Sequence, residues 1–439
     1  MPSKINCMPP GIFSFCRIPR PACLLFGLLP VATLCQPVQR LNIHAAYELA
    51  RANYPQTRQR DLIRQTGIYS VANAAKGWLP ALSFSGQATY QSEVTQLPFK
   101  IPIAGFTLPQ YSRDQYKIVA ELDQTIYDGG QIRNQKQTAA LNSSLQEKNL
   151  DVDLYALYDR VNQLFFGVLL MDAELEQNDL LRKDIQNGLD LTQAQLANGT
   201  AYRSSVEELQ AQILSTDQGR LQEEATRKAY LDMLGWFINR SLDSGSVLEW
   251  PPAPDMADSI RRPELAYYGI LRRGYDLQDQ QLSAELRPRF SFFVQGGYGR
   301  PGLNFLNNDF AFWYYGGLRL SWNLGSWYSL KGQREILNLN RRGTDIQKET
   351  FLFNTQLSRL QQADQIANYR ELVRTDDQIV DLRNSVKHSA RAQLQNGVLS
   401  AHDYITQVNA EDQARQQKIL HQVQLLQAEY SYQNSTGIP

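Results

Sequence analysis

The chain follows one plan twice. Residues 77–91 read GWLPALSFSGQATYQ and residues 284–298 read AELRPRFSFFVQGGY; residues 195–199 read QLANG and residues 393–397 read QLQNG. In each half a helical stretch meets a Pro, and two alternating strands follow. A very long helical stretch then ends in Asn-Gly before another helix. Internal repetition of this kind has to be weighed before any local motif. Each half holds only two strands, and four strands cannot close a barrel.

The first 35 residues read as an export leader. Lys4, Arg17 and Arg20 form a basic start, an apolar run from Ala22 to Leu34 follows, and Gln36 begins polar sequence. The run is too short for a confident membrane span. All four cysteines (Cys7, Cys16, Cys23 and Cys35) lie in this segment, so cleavage near Cys35 leaves a cysteine-free chain. That suits an exported protein without disulfides. Acylation of Cys35 is the alternative, although Leu34 stands where a small residue is expected. Without the leader, 41 basic residues face 44 acidic ones, and a net charge of −3 gives no sign of a nucleic-acid partner.

Apolar spacing predicts long helices. Leu150, Leu154, Leu157, Val161, Leu164, Val168, Met171 and Leu175 alternate steps of four and three, a heptad seam. Residues 131–197 contain no Pro, so one helical run of roughly 95 Å is expected at 1.5 Å per residue. The second half repeats it from about Gly332 to Leu394 through Leu357, Leu360, Leu372, Ile379, Leu382 and Val386. Partner helices are expected over Ser204–Ile238 and Ala401–Tyr432. Taken alone, such seams fit a coiled-coil envelope scaffold that is no channel, and that reading stays the alternative.

The strands favour a membrane. Leu82, Phe84, Ala88 and Tyr90 alternate with Ser83, Ser85, Gln87 and Thr89. Ile118, Ala120, Leu122 and Ile126 alternate with Lys117, Glu121, Asp123 and Thr125, and only Gln124 breaks the apolar set. Phe290, Phe292, Val294 and Tyr298 oppose Arg289, Ser291 and Gln295; Phe312, Tyr314, Leu318, Leu320 and Trp322 oppose Arg319, Ser321 and Asn323. Period-two alternation puts one set on each face of a sheet. Strands of about ten residues cross a bilayer when tilted. Tyr90, Tyr116, Tyr298 and Trp313 are expected as an aromatic girdle at one rim, with Phe84, Tyr127, Phe290 and Trp322 toward the other. Lys117, Glu121, Asp123 and Arg319 would then face the barrel lumen. The first hairpin carries the longer connection, with Pro98, Pro102, Gly105 and Pro109, and long loops belong outside the cell.

A four-stranded sheet in lipid leaves two edges of unpaired N–H and C=O groups. Several chains must share one barrel. Eight strands fill their interior with side chains, whereas twelve can leave a lumen, and the inward set is mostly Ser, Gln, Thr and Gly. Three or more chains are favoured.

The order and double occurrence of these stretches resemble the TolC family of outer-membrane efflux proteins. The likeness covers about residues 41–434. It rests on NYPQ at 53–56, GWLPALSFSGQATY at 77–90, LDQTIYDGGQIRNQ at 122–135, QLANGTAYRSSVEELQAQ at 195–212, RPEL at 262–265, LRPRFSFFVQGGYG at 286–299, LRLSWNLG at 318–325 and QLQNGVLSAHDYITQVNAE at 393–411. It implies an α+β membrane protein: a homotrimer with one twelve-stranded β-barrel, four strands per chain, continuing into a long α-helical coiled-coil periplasmic tunnel. It implies a passive exit duct for an efflux pump or a type I secretion system. The implied partners are a periplasmic adaptor, an inner-membrane RND or ABC transporter and outer-membrane lipid. The layout is then a signal peptide over 1–35, a first repeat over 36–238, an equatorial linker over 239–262, a second repeat over 263–434 and a tail over 435–439.

The two Asn-Gly sites mark the tips. Gly199 and Gly397 end long helices where a left-handed residue turns the chain. Ser400 with Asp403 makes a capping box; in the first repeat Ser204 is the expected cap, with Glu207 and Glu208 in the first turn. By resemblance the adaptor docks at Asn198, Gly199, Thr200, Asn396, Gly397, Val398 and Ser400. By resemblance Asp403 also forms a ring of three carboxylates at the periplasmic constriction, with Thr406 where a second Asp often stands. Leu394 and Leu399 occupy places where well-studied members carry gate residues.

Enzyme readings are weak. His44, His388, His402 and His421 have no helix-face partner spaced for a metal. No phosphate loop or G-x-S-x-G is present, and Asp128-Gly129-Gly130 reads best as a tight strand-to-helix corner. No enzyme activity and no cofactor are expected.

Overall fold

The structure is a computed structural model, and it describes residues 40–94, 112–256, 259–304 and 307–437. The leader with its four cysteines, and Pro98, Pro102, Gly105 and Pro109 of the first hairpin connection, lie outside the described residues.

The chain runs β1 (Arg40–Leu41), α1 (Ile43–Asn53), α2 (Gln59–Ala75), β2 (Ala81–Tyr90), β3 (Asp114–Tyr127), α3 (Gln131–Tyr155), α4 (Leu157–Ala197), α5 (Arg203–Ile238), β4 (Val247–Leu248), α6 (Pro263–Glu285), β5 (Arg289–Arg300), β6 (Ala311–Ser321), α7 (Ser326–Gln395) and α8 (Ala401–Thr436). The four long strands form one antiparallel sheet in the order β2-β3-β5-β6. Both hairpin connections leave one end of it, and all helices join the other. Register sets Leu82 across from Leu122 and Val294, and Phe84 across from Ala120 and Gly296, so one face is continuous and apolar. That face is bare: Phe84 is 73% exposed, Phe312 85% and Leu318 74%. Gln124, a polar residue on it near the helical end, turns its amide to the carbonyl of Trp78 at 2.9 Å. A bulge between Thr125 and Tyr127 ends the pairing of β3 with β5 at the helical end.

Asp128 builds the corner into α3. Its carboxylate accepts from Gly130 N at 2.8 Å and Ile132 N at 2.5 Å, while Gly129 and Gly130 take φ of +71° and +97°. The long helical run is interrupted once, at Ala156, where no Pro or Gly marks the place. Leu154 and Leu157 stay buried on either side of it. α7 has 70 residues, roughly 105 Å at 1.5 Å per residue.

α2 packs on α3, α3 on α6 and α6 on α7; further from the sheet, α4 packs on α5 and α8, and α8 on α7. The main core joins α1, α4 and α5 around Phe165, Phe166, Leu234 and Ile238. A second core, around Ile185, Leu209, Tyr404 and Val408, lies near the tips.

Three features differ from the sequence reading. In the expected linker, β4 pairs in parallel with β1, and Arg227 holds the approach to it by bonds to the carbonyls of Ser244 and Ser246 at 2.9 and 3.0 Å. Where a tail was expected, α8 continues to Thr436. Ser435 and Thr436 hydroxyls donate to carbonyls one turn back, and Gly437 closes the helix at φ +89°. The seam expected along α7 is not buried within the chain: Leu357, Leu360 and Leu382 are at least half exposed.

Candidate functional site

The polar face of the sheet carries a charged ladder. Arg319 reaches from β6 across β5 to β3, where its guanidinium meets Glu121 at 2.7 Å and Asp123 at 3.0 Å. Gln295 donates to Glu121 at 2.7 Å and Ser291 to Asp123 at 3.1 Å. Lys117 shares this face, across from Gln87 and Gly299 and nearer the hairpin end. Trp313 also lies on this face, across from Gly297, and not in an apolar girdle. Strict alternation back from Arg319 would have placed Tyr315 and Trp313 here, and alternation on from Arg289 would have placed Phe293; nearness to a strand end misplaced the tryptophan.

The tips share one turn geometry. Gly199 N–H donates to Leu196 O at 3.0 Å and Thr200 N–H to Gln195 O at 2.9 Å; Gly397 and Val398 repeat this on Leu394 and Gln393 at 3.1 and 2.9 Å. Asn198, Gly199, Thr200, Asn396, Gly397, Val398 and Ser400 are all exposed. Their caps differ. Ser400 Oγ accepts from Asp403 N at 3.1 Å and donates to the Asp403 carboxylate at 2.7 Å. In the first tip, Tyr202 stands at the cap without a side-chain bond, and Ser204 lies inside α5 and does not cap it. Glu207 pairs with Arg203 one turn back, at 2.9 Å.

Asp403 and Thr406 are exposed on one face of α8, a turn apart, and Thr406 Oγ1 bonds to His402 O at 3.0 Å. Leu394 is buried in the tip core, and Leu399 packs against it. His402 lies 2.6 Å from Glu208 of α5, a link between the two hairpins. The hydrogen bond to that carboxylate, and its charge, raise the imidazole's pKa above the ordinary value. Gln195 Nε2 adds a second link, to Leu394 O at 2.6 Å.

Further along the helices from the tips lies an ion cluster that no sequence spacing marked. Lys387 of α7, largely buried, meets Asp184 of α4 at 2.7 Å and Glu411 of α8 at 3.0 Å. Arg415 also pairs with Glu411. Neighbouring Asp412 accepts from Gln177 at 2.9 Å, and burial raises its carboxyl above the usual range. Tyr404 donates to Asp184 O at 3.1 Å; burial, then the Asp184 charge, push its phenol up to about 12. A methyl group at Gly188 would come within 2.5 Å of the Tyr404 ring, so the glycine is where α8 approaches α4 closely. Among the described residues, no group of three or more His, Cys, Asp or Glu is placed to hold a metal ion. No helix there is long and apolar enough to cross a membrane.

With two repeats, a sheet bare on its apolar face and paired helical tips in place, the chain can be compared with known proteins. A family model described as outer membrane efflux protein matches residues 46–232, most of the first repeat. The outer membrane efflux family is the one the repeats resemble. No curated protein matches the chain. Solved structures share the fold across both repeats. The outer membrane protein VceC of Vibrio cholerae is 14% identical with a TM-score of 0.65, over 90% of this chain and 96% of that one. CusC, in structures titled for conformational changes accompanying folding and transmembrane channel formation, is 13% identical at 0.67, over 90% and 92%. The open state of the MtrE outer membrane channel of Neisseria gonorrhoeae is 12% identical at 0.63, over 90% and 89%. At these identities the structural likeness is one of fold. The efflux family description and the VceC and MtrE titles name the outer membrane, the address that the resemblance implies.

Proposed function

We propose that three copies of this chain form a passive outer-membrane exit duct, with a twelve-stranded barrel set on a helical periplasmic tunnel. The observation that carries this reading is the sheet: an exposed apolar face, a hydrogen-bonded polar face, and unpaired edges at β2 and β6. Lipid covers such a face, and only closure satisfies such edges. Successive strands alternate in direction, so β6 of one copy can pair antiparallel with β2 of the next and the same junction can repeat around the ring. The efflux description of the family supports solute export, by a drug-efflux pump or a type I secretion system. In this reading Lys117, Glu121, Asp123 and Arg319 line the barrel lumen. The exposed turn residues, from Asn198 to Thr200 and from Asn396 to Ser400, receive a periplasmic adaptor. An inner-membrane RND or ABC transporter supplies the energy, and no chemistry is asked of the duct.

Asp403 would stand three times around the periplasmic mouth, while its own Ser400 bond also caps α8. A ring of carboxylates attracts cations. Purified protein in a planar bilayer is expected to give discrete conductance steps with a cation preference that Asp403→Ala reduces. Absence of steps, with tips opened by substitution as well, would contradict the duct. Unchanged selectivity in Asp403→Ala would leave that residue a cap only.

A further inference from the structure

The polar face of the sheet carries more ring surface than a water-filled wall requires. A methyl group on Gly297 would sit 2.4 Å from the Trp313 ring, so the indole lies down on the glycine. Phe293 approaches Gly317 in the same way, at 3.5 Å. Covering glycines with rings is a way to stabilise a sheet, and it keeps these side chains along the wall, out of the lumen. Trp313 and Tyr315 stack with centroids 5.8 Å apart and planes 21° apart, and Phe293 meets Tyr315 edge-on at 5.8 Å. The Arg319 guanidinium sits 4.5 Å above Phe293 and closes the strip toward the helical end.

Glycine cover does not account for the middle of the strip, where Gln295 is the cross-strand partner of Tyr315. There Tyr315 remains 43% exposed. Beside it opens a recess of about 580 Å³ that Gln87, Lys117, Trp313 and Tyr315 share. The charges around it are mostly spent. Glu121 and Asp123 share the one cation of Arg319, and Asp114 pairs with Arg300. Lys117 makes no ion pair among the described residues. Stacked ring faces, an amide and one ammonium without a direct ion-pair partner thus converge on the same recess.

We propose that this recess is a binding subsite for planar aromatic anions leaving through the barrel; it rests on the duct reading above. Trp313 and Tyr315 offer their faces to the solute ring, Lys117 attracts its charge, and Gln87 serves polar substituents. Each contact is water-exposed and modest. Weak binding is what conduction requires, since a solute must leave as readily as it enters.

The test uses the purified assembly, once in detergent by fluorescence titration and once in a planar bilayer by current block. The probe is 1-naphthalenesulfonate. Cyclohexanesulfonate keeps the charge without the ring, and 1-naphthylmethylammonium keeps the ring with the opposite charge. The naphthalene anion is expected to bind and block several-fold better than either control. Trp313→Ala and Lys117→Gln are each expected to weaken it by roughly threefold to tenfold, with block scored against the unblocked current of the same variant. Should Trp313→Ala fail to assemble, Lys117→Gln decides, because it breaks no ion pair. A pore that conducts but treats the three probes alike, or variants that leave binding unchanged, would overturn the subsite and leave the duct standing. Absence of conductance would sink the duct, and the detergent titration would still decide whether the recess binds.

Discussion

At the scale of single residues, the second tip is the more elaborate of the two. Its helix starts on a bonded Ser400, and its first turn reaches across to the other hairpin through His402 and Glu208. The Glu208 carboxylate raises the His402 pKa, so the link is complete below the ordinary histidine value of about 6.5 and is lost as pH rises through the raised value. Asp403 beside it adds to the shift, while desolvation opposes it. Glu208→Gln is expected to lower the apparent pKa of His402 toward the ordinary value. Peptide-resolved diethylpyrocarbonate labelling across pH 5–8, scored by mass spectrometry, checks this; an unmoved midpoint would mean that the two side chains do not interact in solution. Ser400 and Asp403 could be read from the sequence because a capping box is local. The His402–Glu208 pair could not, since its partners are 194 positions apart and meet only when the hairpins pack.

Among the elements, the strands and long helices followed directly from spacing. Alternation located all four strands, and the heptad steps located α4 and α7. The gap at Ala156 was not legible because the backbone there stays right-handed, with φ −62° and ψ −14°, and no residue type announces it. The α7 seam was legible as apolar but not as to its partner. Leu209 of α5 is fully buried in the tip core, whereas Ile346, Phe353 and Leu360 of α7 form an exposed heptad stripe. Their roles should separate. Leu209→Ala is expected to cost about 2–5 kcal/mol of chain stability, as a cavity in a packed core does. Leu360→Asp is expected to leave helicity intact and to loosen the assembly. Circular dichroism melts together with light scattering of the detergent-solubilised protein distinguish the two. Loss of helicity in Leu360→Asp without loss of assembly would show that the stripe faces its own chain.

For the whole molecule, the repeat becomes a symmetry statement. Each half supplies one hairpin and one helical pair, so three copies give six similar units about one axis. The halves differ at the tips, where Ser400 caps α8 but Tyr202 leaves α5 without a side-chain cap. In the proposed trimer the wall would approach a ring of six while the mouth would be a ring of three. All of this depends on closure of the barrel between copies. Because the four native cysteines precede residue 36, disulfide trapping at that junction is clean. The most direct measurement places Ser85→Cys on β2 and walks a second cysteine along Tyr315, Gly317 and Arg319 of β6, all on the polar face. Oxidation in outer-membrane fractions is expected to give cross-linked dimers and then a trimer as the end point at one register. Monomers at every register, or a ladder that runs on past the trimer, would contradict a barrel closed by three chains.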